Sequence, residues 1–180
     1  PVVAVTQDNP LTNCDPPGSS PTFLNGQLAA TADGGIIGYT FEWFRTPVTA
    51  GSVAIGDNDK LIGEDIGTYQ VRAVNTLTFC VGQATGTITD GRVLPPVPLA
   101  TAVAPQSNCD LSLSNGRAAA AVIKTQPSDT VTVGYTFDWY DGPSPGTNPD
   151  FTGINYLSLA SGEYSVIAED VTTRCRSNPS

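Results

Sequence analysis

Four cysteines fall into two pairs with a single spacing. Cys14 and Cys80 stand 66 residues apart, Cys109 and Cys175 stand 66 apart, and each member of the second pair follows its counterpart by 95. The surrounding residues repeat in the same order: "LNGQLAATA" with "SNGRAAAAV", "GYTFEWF" with "GYTFDWY", "IGTYQVRAV" with "SGEYSVIAE". A chain that repeats itself at this period builds one structural unit twice. Residues 1–95 form the first unit and 96–180 the second. Offsets drift between 90 and 96 at the middle landmarks and return to 95 at the last cysteine, so the length changes belong in loops, where they cost little.

The period within each repeat is two. In "YTFEWF" Tyr39, Phe41 and Trp43 share one face, and in "YTFDWY" Tyr135, Phe137 and Trp139 do the same, which is the alternation of a half-buried strand. The later motifs set Tyr69, Val71 and Ala73, and Tyr164, Val166 and Ala168, on one face. With 18 Gly, 15 Pro and no Met, short strands and many turns are expected and helices are not. Strands are expected over 2–6, 27–32, 39–45, 52–55, 59–62, 67–74 and 80–89, the number of a β-sandwich. The fold class is all-β, two tandem Ig-like β-sandwich domains.

Asp65, Gly67 and Tyr69 occupy the D-x-G-x-Y positions of a tyrosine corner, and Trp43 fits the core tryptophan of an Ig-type strand C. Trp139 and Tyr164 take these places in the second repeat. An Ig domain would carry a core cysteine where Val71 and Val166 stand, and here the cysteines lie outside that core. Of the three connectivities open to four cysteines, the one taken from the duplication pairs Cys14 with Cys80 and Cys109 with Cys175. Each bond would close a loop of about 66 residues, worth roughly 4 kcal/mol by chain entropy. The alternatives are free thiols and a zinc site, although no CxxC pair and no His is present. Disulfides imply an oxidising, extracellular compartment.

In this order an NC opening, an NG before a small-residue strand, "GYTFxW", "GxYxV" and a closing Cys resemble the SprB-type repeat of very large surface adhesins of Bacteroidota. The resemblance covers nearly all of both repeats. It implies an Ig-like or PKD-like module of a secreted, cell-surface multidomain protein, exported by the type IX route, with an adhesive or stalk role and no catalytic residues. The chain departs from the usual "GGxxPYxYxW" approach to the tryptophan, reading "GGIIGYTFEW" and "VTVGYTFDW".

The remaining residue chemistry is sparse. Without His, no Ser/His/Asp or Cys/His nucleophile system forms. A formal charge of −9 from 8 basic and 17 acidic residues repels nucleic acid and anionic membranes, and no apolar run approaches the ~20 residues of a membrane span. Asp57, Asp59, Glu64 and Asp65 offer hard oxygen ligands suited to calcium, set against an ordinary solvated turn. Phe44 and Tyr140 point away from the aromatic inner face, as half-buried sheet packing or an exposed contact. Asp129-Thr130-Val131 resembles the Bacteroidota O-glycosylation pattern, at Thr130. No cofactor beyond that calcium is expected.

The start at Pro1, without Met or a signal-peptide pattern, reads as a processed or excised piece of a longer protein. "DGRVLPPVPLA" reads as a semi-rigid, proline-stiffened linker. After Cys80 the first repeat continues with "VGQATGTITD", whereas after Cys175 only "RSNPS" follows; the last strand of the second repeat is expected to be missing, leaving an edge for a following segment or a neighbouring subunit. The expected function is a non-enzymatic extracellular stalk or adhesin segment at the cell surface, its partners being adjacent repeats, neighbouring subunits, or a surface glycan or protein. Two alternatives are a filament subunit completed by strand donation and a carbohydrate-binding module of a secreted protein.

Overall fold

Strict alternation of apolar and polar residues gives each strand one face to bury, and burial follows it. The computed structural model describes residues 1–14, 23–124 and 129–180 and divides into two compact units, Pro1–Arg92 and Val93–Ser180.

Unit 1 contains β1 (Val3–Asn9), β2 (Gly26–Ala32), β3 (Tyr39–Arg45), β4 (Lys60–Glu64), β5 (Gly67–Asn75) and β6 (Val81–Ile88). One sheet has the order β1-β2-β4 and the other β3-β5-β6, all antiparallel within each sheet. Leu28, Ala30 and Ala32 of the first sheet face Phe41, Trp43, Tyr69, Val71, Ala73 and Ile88 of the second, all nearly inaccessible to water. Trp43 pairs directly with Val71, and its indole NH donates to Asn58 O at 2.8 Å. The Tyr69 hydroxyl donates to Asp65 O at 2.8 Å, closing the tyrosine corner. The segment 52–55 forms no strand; Gly56 beside it makes an isolated bridge to Trp43.

The first and last strands of unit 1 run side by side in the same direction. A Cβ on Gly82 would strike Pro1 and Val3, one on Gly86 would strike Val5, and Leu11 makes a parallel bridge to Asp90, with Leu11 N donating to Thr89 O and Gly91 N to Leu11 O. The chain therefore enters unit 1 at one end of the sandwich and leaves it at the other.

Unit 2 contains β7 (Leu99–Ala104), β8 (Gly116–Ile123), β9 (Thr130–Val131), β10 (Tyr135–Asp141), β11 (Phe151–Thr152), β12 (Asn155–Leu159) and β13 (Tyr164–Asp170). The sheets are β12-β8-β7, with β9 on β8, and β11-β10-β13. Trp139 again pairs with the buried valine, Val166, and donates to Gly153 O at 2.9 Å. The Tyr164 hydroxyl donates to Ala160 O at 3.1 Å, but the ring is only half-buried. The fully buried cluster is smaller: Ala120, Val122, Phe137, Trp139, Val166 and Ala168. A last strand is begun rather than absent. Arg176 bridges Glu169, Ser177 N donates to Ala168 O at 2.8 Å and Ser180 N to Val166 O at 3.1 Å.

Candidate functional site: a groove in unit 2

The cysteines correct the expected pairing. Cys14 and Cys175 are the disulfide-bonded ones, while Cys80 and Cys109 carry free, exposed thiols. Neither Cys14 with Cys80 nor Cys109 with Cys175 is formed. Strand direction explains this. Next to Cys14, Asn13 is tied to Phe23 and Asn25 at the start of β2, beyond the Leu11–Asp90 bridge. Cys80 accepts from Asn75 N at the other end of β6. Eight residues of extended strand separate these ends by ~25 Å, whereas a disulfide needs Cα atoms within about 7 Å. In unit 2 Leu159 pairs with Gly116 at the start of β8, near Cys109, while Cys175 accepts from Asp170 N at the far end of β13.

Of the acidic residues picked out for calcium, Asp57, Glu64 and Asp65 have partners of their own. Glu64 is ion-paired with Arg45 at 2.6 Å and Asp65 accepts from Ile66 N at 2.7 Å. Asp57 accepts from the Asn58 side chain at 3.2 Å. Among the described residues no group of three or more His, Cys, Asp or Glu side chains is gathered to hold a metal ion. Thr130 opens β9 and is exposed. Tyr140, expected to face outward, is buried at 3% exposure, because Arg176 of the terminal segment lies over it and donates to its hydroxyl at 3.0 Å; the same guanidinium pairs with Asp138 at 2.6 Å. Phe44 remains half-buried.

A groove of about 450 Å³ lies in unit 2. Gly116, Ala118, Leu159 and Tyr164 line it together with Trp139 and Gln106. Its origin is visible by superimposing the repeats in sequence. Leu28, fully buried in unit 1, is replaced by Ala118, and Leu11 by Gln106. In unit 1 the corresponding space is full. Ile88 sits so close over Gly26 that a Cβ there would lie 2.7 Å from its Cγ2 atom, and Gly86 lies against Val5 and Leu28.

Two of its lining residues, Trp139 and Tyr164, belong to an aromatic cluster. Phe151 stacks on Tyr156 at 4.9 Å, Tyr156 meets Tyr164 edge-on at 5.8 Å, and Trp139 lies 5.9 Å from Tyr156. Burial pushes the Tyr156 and Tyr164 phenols above their ordinary value, and the Asp141 charge adds to both. The Gln106 Nε2 is buried without a hydrogen-bond partner. Sequence reasoning missed the groove residues, although setting "LNGQLAATA" over "SNGRAAAAV" shows the lost leucine.

No protein-family model matches the chain, and no curated protein matches it. Among solved structures it is similar to three N-terminal domains of the bacteriophage RB49 highly immunogenic outer capsid protein (Hoc), at 11% identity and a TM-score of 0.38 over 99% of this chain. The chain spans 57% of that structure. It is also similar to fibronectin(III)-like modules of Clostridium thermocellum CbhA, at 18% identity and a TM-score of 0.32, over 98% of this chain and 90% of that one.

Proposed function

We propose that the chain is a non-enzymatic structural segment of an extracellular, cell-surface protein, in which tandem Ig-like modules act as stalk or adhesive repeats. One observation carries this reading: both units spend the same side-chain chemistry on their own backbone. Trp43 and Trp139 bond to loop carbonyls, and Tyr69 and Tyr164 close the same corner. This is the economy of a module made to be repeated. The disulfide-bonded Cys14 and Cys175 support an oxidising compartment, and the resemblance to SprB-type repeats supports the surface location.

The test combines shaving and imaging. Protease treatment of intact cells, followed by immunodetection with an antibody to this segment, should release the epitope, and electron microscopy should trace it to single long chains projecting from the surface. An epitope protected until lysis would end the surface reading. Regular fibres of many short chains would replace the stalk by a filament subunit.

A further inference from the structure

The β3-β5-β6 sheet of unit 1 turns its second face away from the core, and that face is not flat. Alternation puts Glu42 and Phe44 of β3 on it, paired with Arg72 and Gln70 of β5, and Gln83 of β6 follows in the row of Arg72. The segment after β3 runs back along that strand. Ile55 N donates to Trp43 O and Trp43 N to Gly56 O, and within the segment Thr49 N donates to Ser52 Oγ at 2.8 Å. Sheet face and segment together line a cleft of about 430 Å³.

The lining selects the kind of ligand. Arg72 is paired with Glu42 at 2.6 Å, and the other lining residues are uncharged, so the cleft presents both signs and no net charge. The Gln70 amide donates to Gln83 Oε1 at 3.0 Å. A side-chain amide carries two donor hydrogens and an acceptor oxygen, so the Gln70 oxygen and the Gln83 NH₂ keep capacity for a ligand. Interleaved donors and acceptors suit hydroxyl groups, each of which both gives and accepts. Half-buried Phe44 adds one ring, and the negative face of an aromatic ring complements the C–H face of a pyranose. β5 is paired on both sides, to β3 and β6, so no strand can be added to the floor and recognition there runs through side chains.

Unit 2 is closed at the same place. Asp138 and Tyr140 pair with Ile167 and Ser165 as Glu42 and Phe44 pair with Arg72 and Gln70, so the guanidinium and the amide are lost. Arg176 covers what remains, pairing with Asp138 and bonding to the Tyr140 hydroxyl.

We propose that the cleft in unit 1 is a binding site for a neutral saccharide, with Phe44 against a sugar ring and Gln70, Gln83 and the Glu42–Arg72 pair bonding its hydroxyls. The net charge of −9 disfavours sialylated and sulfated glycans. The proposal deepens the adhesive reading and rests on it for the site's access to glycans outside the cell.

In the experiment the full 180-residue chain is applied to an array of oligosaccharides ending in neutral hexoses and N-acetylhexosamines, with sialylated and sulfated ones beside them. The strongest binder is then titrated in solution while backbone amide NMR signals are followed. Neutral members should bind, shifting signals of 40–54, 68–74 and 81–85 and leaving 135–141 and 164–170 of unit 2 unmoved. Phe44→Ala and Gln83→Ala should each weaken binding by about tenfold or more, while Phe44→Tyr retains it. Gln83 is exposed on β6, so its variant keeps the fold if Phe44→Ala does not. Silence across the array, binding to anionic members alone, shifts centred on unit 2, or affinity unchanged in Gln83→Ala and in a folded Phe44→Ala would overturn the proposal. The assay uses purified chain, so its failure leaves the surface reading standing; only the shaving experiment can remove that.

Discussion

The side chain of Ile88 stands over the bare Cα of Gly26, within 2.7 Å of where a Cβ would be. Neither residue tolerates change independently, because the carbonyl of Glu64 closes the same space from the backbone side. Gly26→Ala should therefore destabilise unit 1 by about 1–3 kcal/mol through overpacking. Ile88→Ala should destabilise it by about 2–5 kcal/mol through a cavity. Denaturant melts of the two variants measure both.

Tyr69 is the second sensitive point. Tyr69→Phe removes its bond to Asp65 O and leaves a carbonyl short of a donor, at about 1 kcal/mol; Tyr164→Phe, at a half-buried ring, should lose less. Burial raises the Tyr69 phenol to about 12, while the unfolded residue titrates near 10. The unfolded state thus releases its proton first. The contribution is whole below pH 10 and is lost as pH rises towards 12. Alkaline melts of the parent and of Tyr69→Phe should converge over that interval.

Thiol counting separates the observed cysteine states from the pairing within repeats. Without reductant, a chromogenic disulfide reagent should find two reactive thiols per folded chain, and peptide mapping should place them at Cys80 and Cys109. Pairing within repeats would give none. The double variant Cys80→Ser, Cys109→Ser should melt within about 0.5 kcal/mol of the parent, as exposed surface positions do.

At the exit of unit 1, Arg92 grips Asp90 through two side-chain nitrogens at 2.9 and 2.7 Å. Those bonds, with the Arg92 backbone NH, lower the Asp90 carboxyl to about 2. Its folded value lies below the unfolded one near 3.9, so its contribution is present above pH 4 and lost as pH falls towards 2. In Arg92→Ala an NMR titration of Asp90 should move up towards the ordinary carboxylate value.

What the sequence disclosed depended on whether the information was local. β3 and β5 were legible because aromatic and β-branched residues alternate without interruption, and the corner because D-x-G-x-Y is a fixed local geometry. Segment 52–55 misled because its apolar residues exceed what one bridge at Gly56 can order. The cysteines misled because duplication shows which residues correspond, not at which end of a sandwich each lies; that requires counting strand reversals from β1 to β6. Tyr140 was read from the period of its own strand, yet Arg176, 36 residues later, covers it. The calcium reading grouped Glu64 with its neighbours in sequence, while its charge is met by Arg45 from β3.

The parallel course of β1 and β6 bears on how unit 1 carries load. With Pro1 at one end of the sandwich and Arg92 at the other, tension applied through the two ends pulls these neighbouring strands in opposite directions along their length. The Leu11–Asp90 bridge and the interlocked Val5 and Gly86 then resist together rather than opening one after another. Such a unit yields by sliding, not by unzipping, and its lifetime under force is set by the rate of crossing that single collective barrier.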